Sequence, residues 1–199
     1  MTRTGFRSVG RGFTARLARH KAAPHEIDQQ GHRGMTLIEL CIVIVILAVL
    51  MATGVATLMR ARVTSNEAAA IAGLRAIYSA QFAYTAGCGQ GFYATSLVVL
   101  GAKPPGNPQG YLSEDLGSSL TPARNGYTFA LAPGAGGITV SEDCNGNETF
   151  THYYASSAPA VLGQTGTRAF AITQAGTVWE ATGAVPPDEP FEPPDRMAQ

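Results

Sequence analysis

The sequence predicts an α+β fold, a long N-terminal α-helix packed on a four- to five-stranded antiparallel sheet, on three observations. No proline interrupts the chain from Met35 through Ala102. Over that stretch an unbroken apolar run passes into an amphipathic one, so a helix is expected over Met35–Ala86. From Gly126 onward the pattern changes to short alternating segments separated by glycine-rich turns, as antiparallel strands require. One long helix followed by a run of strands is the element order of an α+β unit.

The helix begins with the apolar run. Leu40 to Met59 holds twenty residues without a charge, about 30 Å of helix, one hydrocarbon thickness. It is too apolar on every side for a surface helix, and longer than the apolar core of a cleaved secretory signal. The stretch Ala52–Ala56 is nevertheless rich in small residues, so ordinary secretion stands as a minor alternative. The chain is neutral overall, but residues 1–34 hold seven bases against two acids, and residues 35–199 hold seven bases against twelve acids. A basic leading segment favours a cytoplasmic N-terminus and an extracytoplasmic, mildly acidic domain. The same sign argues against a nucleic-acid-binding domain after residue 35.

Glu39 stands at the head of this run. As a flanking charge it can reach the membrane interface; as an intramembrane carboxylate it is costly and calls for a partner. Gly34 precedes the run, and Glu39 is the fifth residue after it. The stretch "RGMTLIELCIVIVILAVL" resembles the leader and N-terminal helix of type IV prepilins and the related pseudopilins. The resemblance implies cleavage after Gly34 by a prepilin peptidase that also methylates the new N-terminus at Met35. It implies that Glu39 serves assembly. Met35 stands where phenylalanine is usual in that family. A physical role for Glu39 follows: the amine created at Met35 is a positive charge, and a neighbouring subunit's Glu39 can neutralise it. Either charge alone among apolar helices would cost several kcal/mol, on the order of 3–5.

The helix's second half, "SNEAAAIAGLRAIYSAQFAYTAG", repeats Ile71, Leu74, Tyr78 and Phe82 at helical spacing, and these are expected to pack on the sheet. Gly87 and Gly89 end it. Residues 88–125 read as a long connection, with a possible helical turn in "SEDLGSSL". Four strands are expected: Gly126–Ala132, Gly137–Asp143, "ETFTHYYAS" and "TRAFAITQ". A hairpin tip at Ala175-Gly176 leads to a last one. "GYTFAL" and "GTRAFAITQAGTVW" are similar to the sheet of bacterial major pilins and G-type pseudopilins, so the resemblance implies the pilin fold. The tail from Gly183 has five prolines and four acids, and is expected either to be disordered or to lie along the surface. The domain division expected is a leader at residues 1–34, a transmembrane and assembly helix at 35–59, a globular domain at 60–182 and a Pro-rich acidic tail at 183–199.

Of three cysteines, Cys41 lies in the apolar run, while Cys88 and Cys144 flank much of the polar region. In an exported domain the latter two can form a disulfide, with about 3–4 kcal/mol from loop entropy; the alternative is two unrelated thiols. No nucleophile elbow, zinc-protease helix, C-x-x-C or phosphate loop occurs, so an enzyme is not expected. No cofactor or metal is expected. "DCNGNE" has oxygen ligands at alternate positions, but lacks the glycine and the closing acid of a calcium loop. His152 is a lone strand histidine. The function expected is a structural subunit of a type IV pilus, serving adhesion, twitching motility or DNA uptake. The alternatives are a pseudopilin of a type II secretion system and a monomeric membrane-anchored binding protein. The partners implied are copies of the chain itself, the prepilin peptidase and N-methyltransferase, the inner-membrane assembly platform, and membrane lipid before assembly. The location implied is the bacterial inner membrane, then the extracellular pilus.

Overall fold

A computed structural model describes residues 34–192 and 195–198, with the side chains of residues 52–56 outside the description. The expected leader therefore lies outside the described residues, apart from Gly34. Two compact units are described separately, one ending at Val43 and the other beginning at Ile44.

Helix α1 spans Leu37–Ala86, fifty residues. It starts two residues later than expected because Thr36 serves as its cap. It ends where Gly87 N and Gly89 N donate to the carbonyl of Tyr84, at 3.1 and 2.8 Å, and the chain turns away.

In the second unit the helix packs on a six-stranded antiparallel sheet. Its strands are β2 (Ala123–Arg124), β3 (Tyr127–Pro133), β6 (Tyr153–Pro159), β7 (Arg168–Thr173), β8 (Val178–Thr182) and β9 (Arg196–Met197), adjacent in that order. A separate three-stranded sheet holds β1 (Tyr93–Ala94), β5 (Glu148–Phe150) and β4 (Thr139–Glu142), with β5 in the middle. Two short helices lie in the long connection, α2 (Leu97–Gly101) and α3 (Glu114–Gly117), the second within the "SEDLGSSL" stretch expected to hold a helical turn. Ser96 caps α2 by accepting from Val99 N at 3.2 Å.

The core is made where α1 meets β3, β6 and β7. Leu74, Ile77 and Tyr84 of the helix are buried with Tyr127, Phe129, Tyr153, Phe170 and Ile172 of the sheet. Burial of each large apolar side chain contributes about 1.5–3 kcal/mol. Gly73 permits the close approach: a methyl there would stand 2.7 Å from the Phe129 ring. Gln81 is fully buried and hooks β1 to the helix, its amide donating to Ala94 O at 3.1 Å and accepting from Ala94 N at 2.9 Å. The β2–β3 turn places Asn125 and Gly126 at φ 50° and 75°, the left-handed pair a two-residue hairpin needs.

Two expectations are corrected. Phe82 is 70% exposed rather than packed on the sheet. At 100° per residue the buried face centres on Leu74, Ile77, Gln81 and Tyr84, which leaves Ile71 and Tyr78 at its edge and Phe82 beyond it. "ETFTHYYAS" is two strands in two sheets, β5 and β6, parted by a bend at Thr151-His152. Of the two outcomes expected for the tail, the described part takes the second: it lies along the surface and closes as β9 against β8.

That tail forms a strap. Along β6, Tyr153 faces the helix, so its neighbour Tyr154 faces the other side of the sheet. The Tyr154 hydroxyl donates to Pro187 O at 2.7 Å. Glu189 accepts from Ala135 N at 2.6 Å. Phe191 stacks on Trp179 with ring centroids 5.0 Å apart, and Ala198 N donates to Val178 O at 2.9 Å. One face of the sheet is covered by α1 and the opposite face is crossed by the strap.

Candidate functional site

Gly34, Met35 and Thr36 precede the helix without regular structure, and all three are exposed. Nothing stands within 4 Å of the position a Gly34 Cβ would take. The helix starts sharply after them. Thr36 Oγ1 accepts from Glu39 N at 3.2 Å, and Thr36 O accepts from Leu40 N at 3.1 Å. Thr36 is thus the N-cap and Glu39 the third helical residue, the spacing of a capping box. The Glu39 carboxylate is exposed in the first turn, where the helix dipole favours a negative charge. The peptide bond expected to be cut therefore lies in accessible, non-helical backbone directly ahead of a defined helix start.

Beyond Glu39 the apolar side chains face outward. Leu37, Ile38, Leu40, Ile42 and Val43 are exposed in the first unit, and Ile44–Leu47 and Val49–Met51 are exposed at the start of the second. Cys41 is a free thiol, half-buried. Among the described residues no helix is long and apolar enough to cross a membrane. Five of the twenty residues of the expected span have side chains outside the description.

Cys88 and Cys144 are joined in a disulfide, with Cα atoms 4.9 Å apart. The loop that carries Cys144 is folded around the buried Asp143. Its carboxylate accepts from Asn145 N at 2.7 Å, Asn147 N at 2.8 Å and the Asn147 side-chain amide, while Oδ2 accepts from the Tyr84 hydroxyl at 2.7 Å. Burial pushes the Asp143 carboxyl up, but the Asn147 amide, the Tyr84 hydroxyl and the remaining donors outweigh it and hold it below the ordinary range. Burial, followed by the hydrogen bond to Asp143, pushes the Tyr84 hydroxyl up. Both oxygens of the "DCNGNE" aspartate thus serve the loop's own amides and Tyr84. Cys144 N donates to Cys88 O at 3.0 Å, which fixes the loop against the helix end.

A second buried carboxylate ties helix to sheet. Glu67 Oε1 accepts from both Thr167 N and Thr167 Oγ1 at 2.8 Å, and Oε2 from Arg168 at 2.7 and 3.0 Å. Arg168 also reaches Glu180 at 2.5 Å and lies over the Phe170 ring. Burial pushes the Glu67 carboxyl up, and the Thr167 and Arg168 hydrogen bonds with the arginine charge outweigh it, holding it low. Both carboxylates hold elements of the domain together through these bonds. His152 makes only a local contact, with Thr151 Oγ1 at 3.1 Å, and among the described residues no cluster of metal-binding side chains occurs.

Sequence reasoning named Cys88 and Cys144, which the structure joins in a disulfide. It missed Thr36, Glu67 and the Tyr84–Asp143 pair. The signal for Thr36 was available, since Thr36-Leu37-Ile38-Glu39 is itself a capping-box sequence. Glu67 and Asp143 gave no local signal, because their partners are remote in the chain.

The geometry of Gly34–Glu39 is that of exposed, irregular backbone leading into a capped helix start. Residues 30–55 match the family model of the prokaryotic N-terminal methylation motif. That motif is the signature of type IV pilins and pseudopilins and supports a precursor of that kind. Proteins that carry it are structural rather than enzymatic, and it implies processing by prepilin peptidase and polymerisation into filaments. No curated protein and no solved structure gives a significant match to the chain.

Proposed function

We propose that the chain is the precursor of a type IV pilus subunit, cut after Gly34, methylated at Met35 and polymerised through α1. The observation that carries this reading is the methylation motif lying on an exposed, non-helical Gly34–Thr36 immediately before a capped helix. Before assembly, the apolar run Leu40–Met59 holds the chain in the inner membrane with residues 1–34 in the cytoplasm. Residues 60–182 form the globular domain outside, with the tail 183–199 attached. In the filament, the Met35 amine of one copy pairs with Glu39 of its neighbour. Each charge is costly when buried alone among apolar side chains, so the pair selects one stagger between helices and penalises slipped ones. The exposed apolar side chains of Leu37–Met51 support this reading, because apolar surface of that extent favours contact with lipid or other protein. Adhesion, twitching motility and DNA uptake would be properties of the polymer.

Two measurements test it. Mass spectrometry of the membrane-associated chain is expected to show an N-terminus at methylated Met35; an intact leader overturns the filament reading. Electron microscopy of sheared surface material is expected to show long fibres containing this chain. A processed chain without surface fibres would point instead to a pseudopilin of a type II secretion system.

A further inference from the structure

The connection between β6 and β7, residues 160–167, lies at the end of the sheet nearest the apolar run. Contacts with α1 set that direction. Gly176, just past the end of β7, lies against the Tyr78 ring, whereas Thr167 and Arg168, at its start, bind Glu67, about three helical turns earlier. Asn66 Nδ2 donates to Thr165 O at 3.0 Å, which pins the connection to the helix. Within it, Val161 O accepts from Thr165 N at 2.9 Å and Gly166 O from Gly163 N at 2.8 Å. None of its residues is charged. Two neighbouring apolar side chains stand out of this pinned loop, Val161 at 46% and Leu162 at 53% exposed.

The part of α1 just before Asn66 is basic, although residues 35–199 as a whole are acidic. Its bases are Arg60 and Arg62, both exposed and neither in an ion pair among the described residues. No acid occurs between Leu40 and Asn66. At about 100° per residue, Arg62 stands on the Asn66 side of the helix one turn nearer its start, and Arg60 on the Glu67 side two turns nearer. Both therefore lie on the side that meets the connection. Met59, the last residue of the uncharged run, is about 10 Å along the axis from Asn66. A headgroup layer of about 5–8 Å covers each face of the hydrocarbon. The arginines fall inside that layer, and the connection stands at its outer boundary. A tilt of about 20°, ordinary for a spanning helix, lowers a loop on the tilted side by roughly 3 Å more.

We infer that before assembly this connection rests on the membrane, with Val161 and Leu162 in the headgroup layer and Arg60 and Arg62 on lipid phosphates. The inference rests on the reading of residues 40–59 as the membrane anchor, and adds how the globular domain is held against the bilayer. Lipid is the occupant because the apolar pair continues the apolar run across a basic collar. Interfacial elements join apolar burial to attraction for anionic headgroups in this way. A single helix leaves the domain free to turn about its axis; the second contact fixes which side of it faces the bilayer.

The test is lipid quenching of a fluorophore on the full-length chain in vesicles. Cys41→Ser removes the free thiol, and the label is placed at Gln164→Cys or, as control, at Glu148→Cys. Glu148 is exposed on β5, beside the Asp143 that binds Tyr84 at the far end of the helix. The vesicles contain phosphatidylcholine and phosphatidylglycerol, with a nitroxide on the headgroup of a lipid. Quenching at 164 is expected to exceed that at 148 several-fold. Arg62→Gln is expected to lower the ratio of docked to free domain about fivefold, and Leu162→Asp to remove the difference between the two labels. Flotation with the vesicles reads the anchor independently. Equal quenching at 164 and 148 in a chain that floats overturns the docking alone. A chain that does not float overturns the membrane anchor and the docking with it. A label at 164 that is shielded only at high protein-to-lipid ratio, without lipid quenching, assigns the loop to a second copy and overturns the docking.

Discussion

Helix α1 contains two regions of similar regularity and opposite burial. From Leu37 to Met51 nearly every large apolar side chain is exposed, with Leu37 at 81% and Met51 at 67%. From Glu67 to Tyr84 one face is sealed, with Leu74 and Ile77 at 0%. Both keep the same hydrogen-bonded backbone, so the difference lies in what the side chains have to pack on. The second region has its partner within the chain, in the sheet. In the first, the large apolar side chains stand exposed, and apolar surface of that extent marks a contact site for lipid or other protein. The fold therefore divides its labour along one helix: the distal part stabilises the subunit, and the proximal part leaves its apolar side chains on the surface.

Perturbing each region separately should break that division. The largest effect is expected from Glu39→Ala, which should lower filament yield by tenfold or more, at about 1.4 kcal/mol per tenfold. The thermal unfolding midpoint of the globular domain should stay where it was. Unchanged yield in sheared preparations would end the charge-pairing role. Replacing Cys88 and Cys144 by Ala should do the reverse. Loss of the bridge, which spans 56 positions, should cost about 3–4 kcal/mol of domain stability. Urea titration reads it as a lower midpoint with the N-terminal cleavage unaffected.

Glu67→Ala comes next, at about 2–3 kcal/mol, because it leaves the Thr167 donors unpaired and frees Arg168 of one partner. Arg168 is partly exposed, which keeps the figure below that for a fully buried pair. The same groups set an acid sensitivity. Glu67 and Asp143 are both held below their ordinary values of 4.5 and 3.8. Their contribution is complete above those values and is lost as pH falls through the lower native ones. Stability measured downward from pH 5 should decline, and Glu67→Gln should flatten part of the decline. The smallest effect is Thr36→Ala, expected to cost the helix start about 1 kcal/mol. Hydrogen exchange should read it as faster protection loss at Glu39 and Leu40, with the distal helix unchanged.

The proximal region was the more legible in sequence. Its signals are local: a glycine, an acid five residues on, and an unbroken apolar run, each interpretable without knowing the fold. The distal helix was legible in extent and less so in face. Ile71, Leu74, Tyr78 and Phe82 satisfy a helical period, yet that stripe is offset to one side of the face buried by Leu74, Ile77, Gln81 and Tyr84, and Phe82 lies farthest from it. The sheet was harder. Alternation continues through "ETFTHYYAS", so the passage from one sheet to the other at Thr151-His152 leaves no trace in the pattern. The strap was least legible. Prolines and acids have no period, and its order comes from Trp179, Tyr154 and the Ala135 amide, which are distant in the chain. Glu67 and Asp143 were hidden for the same reason.

The strap has a further consequence, for solubility. An open six-stranded sheet has two borders at which a stray chain could add itself by backbone pairing. Without β9, the five-residue β8 would be such a border. With it, the border is a two-residue strand carrying Arg196 and following the proline-rich segment. The other border, β2, is also two residues long and carries Arg124, paired with Asp115. Both ends are too short and too charged to template cross-β growth. The six-stranded sheet is thereby closed to growth by backbone pairing at both of its borders.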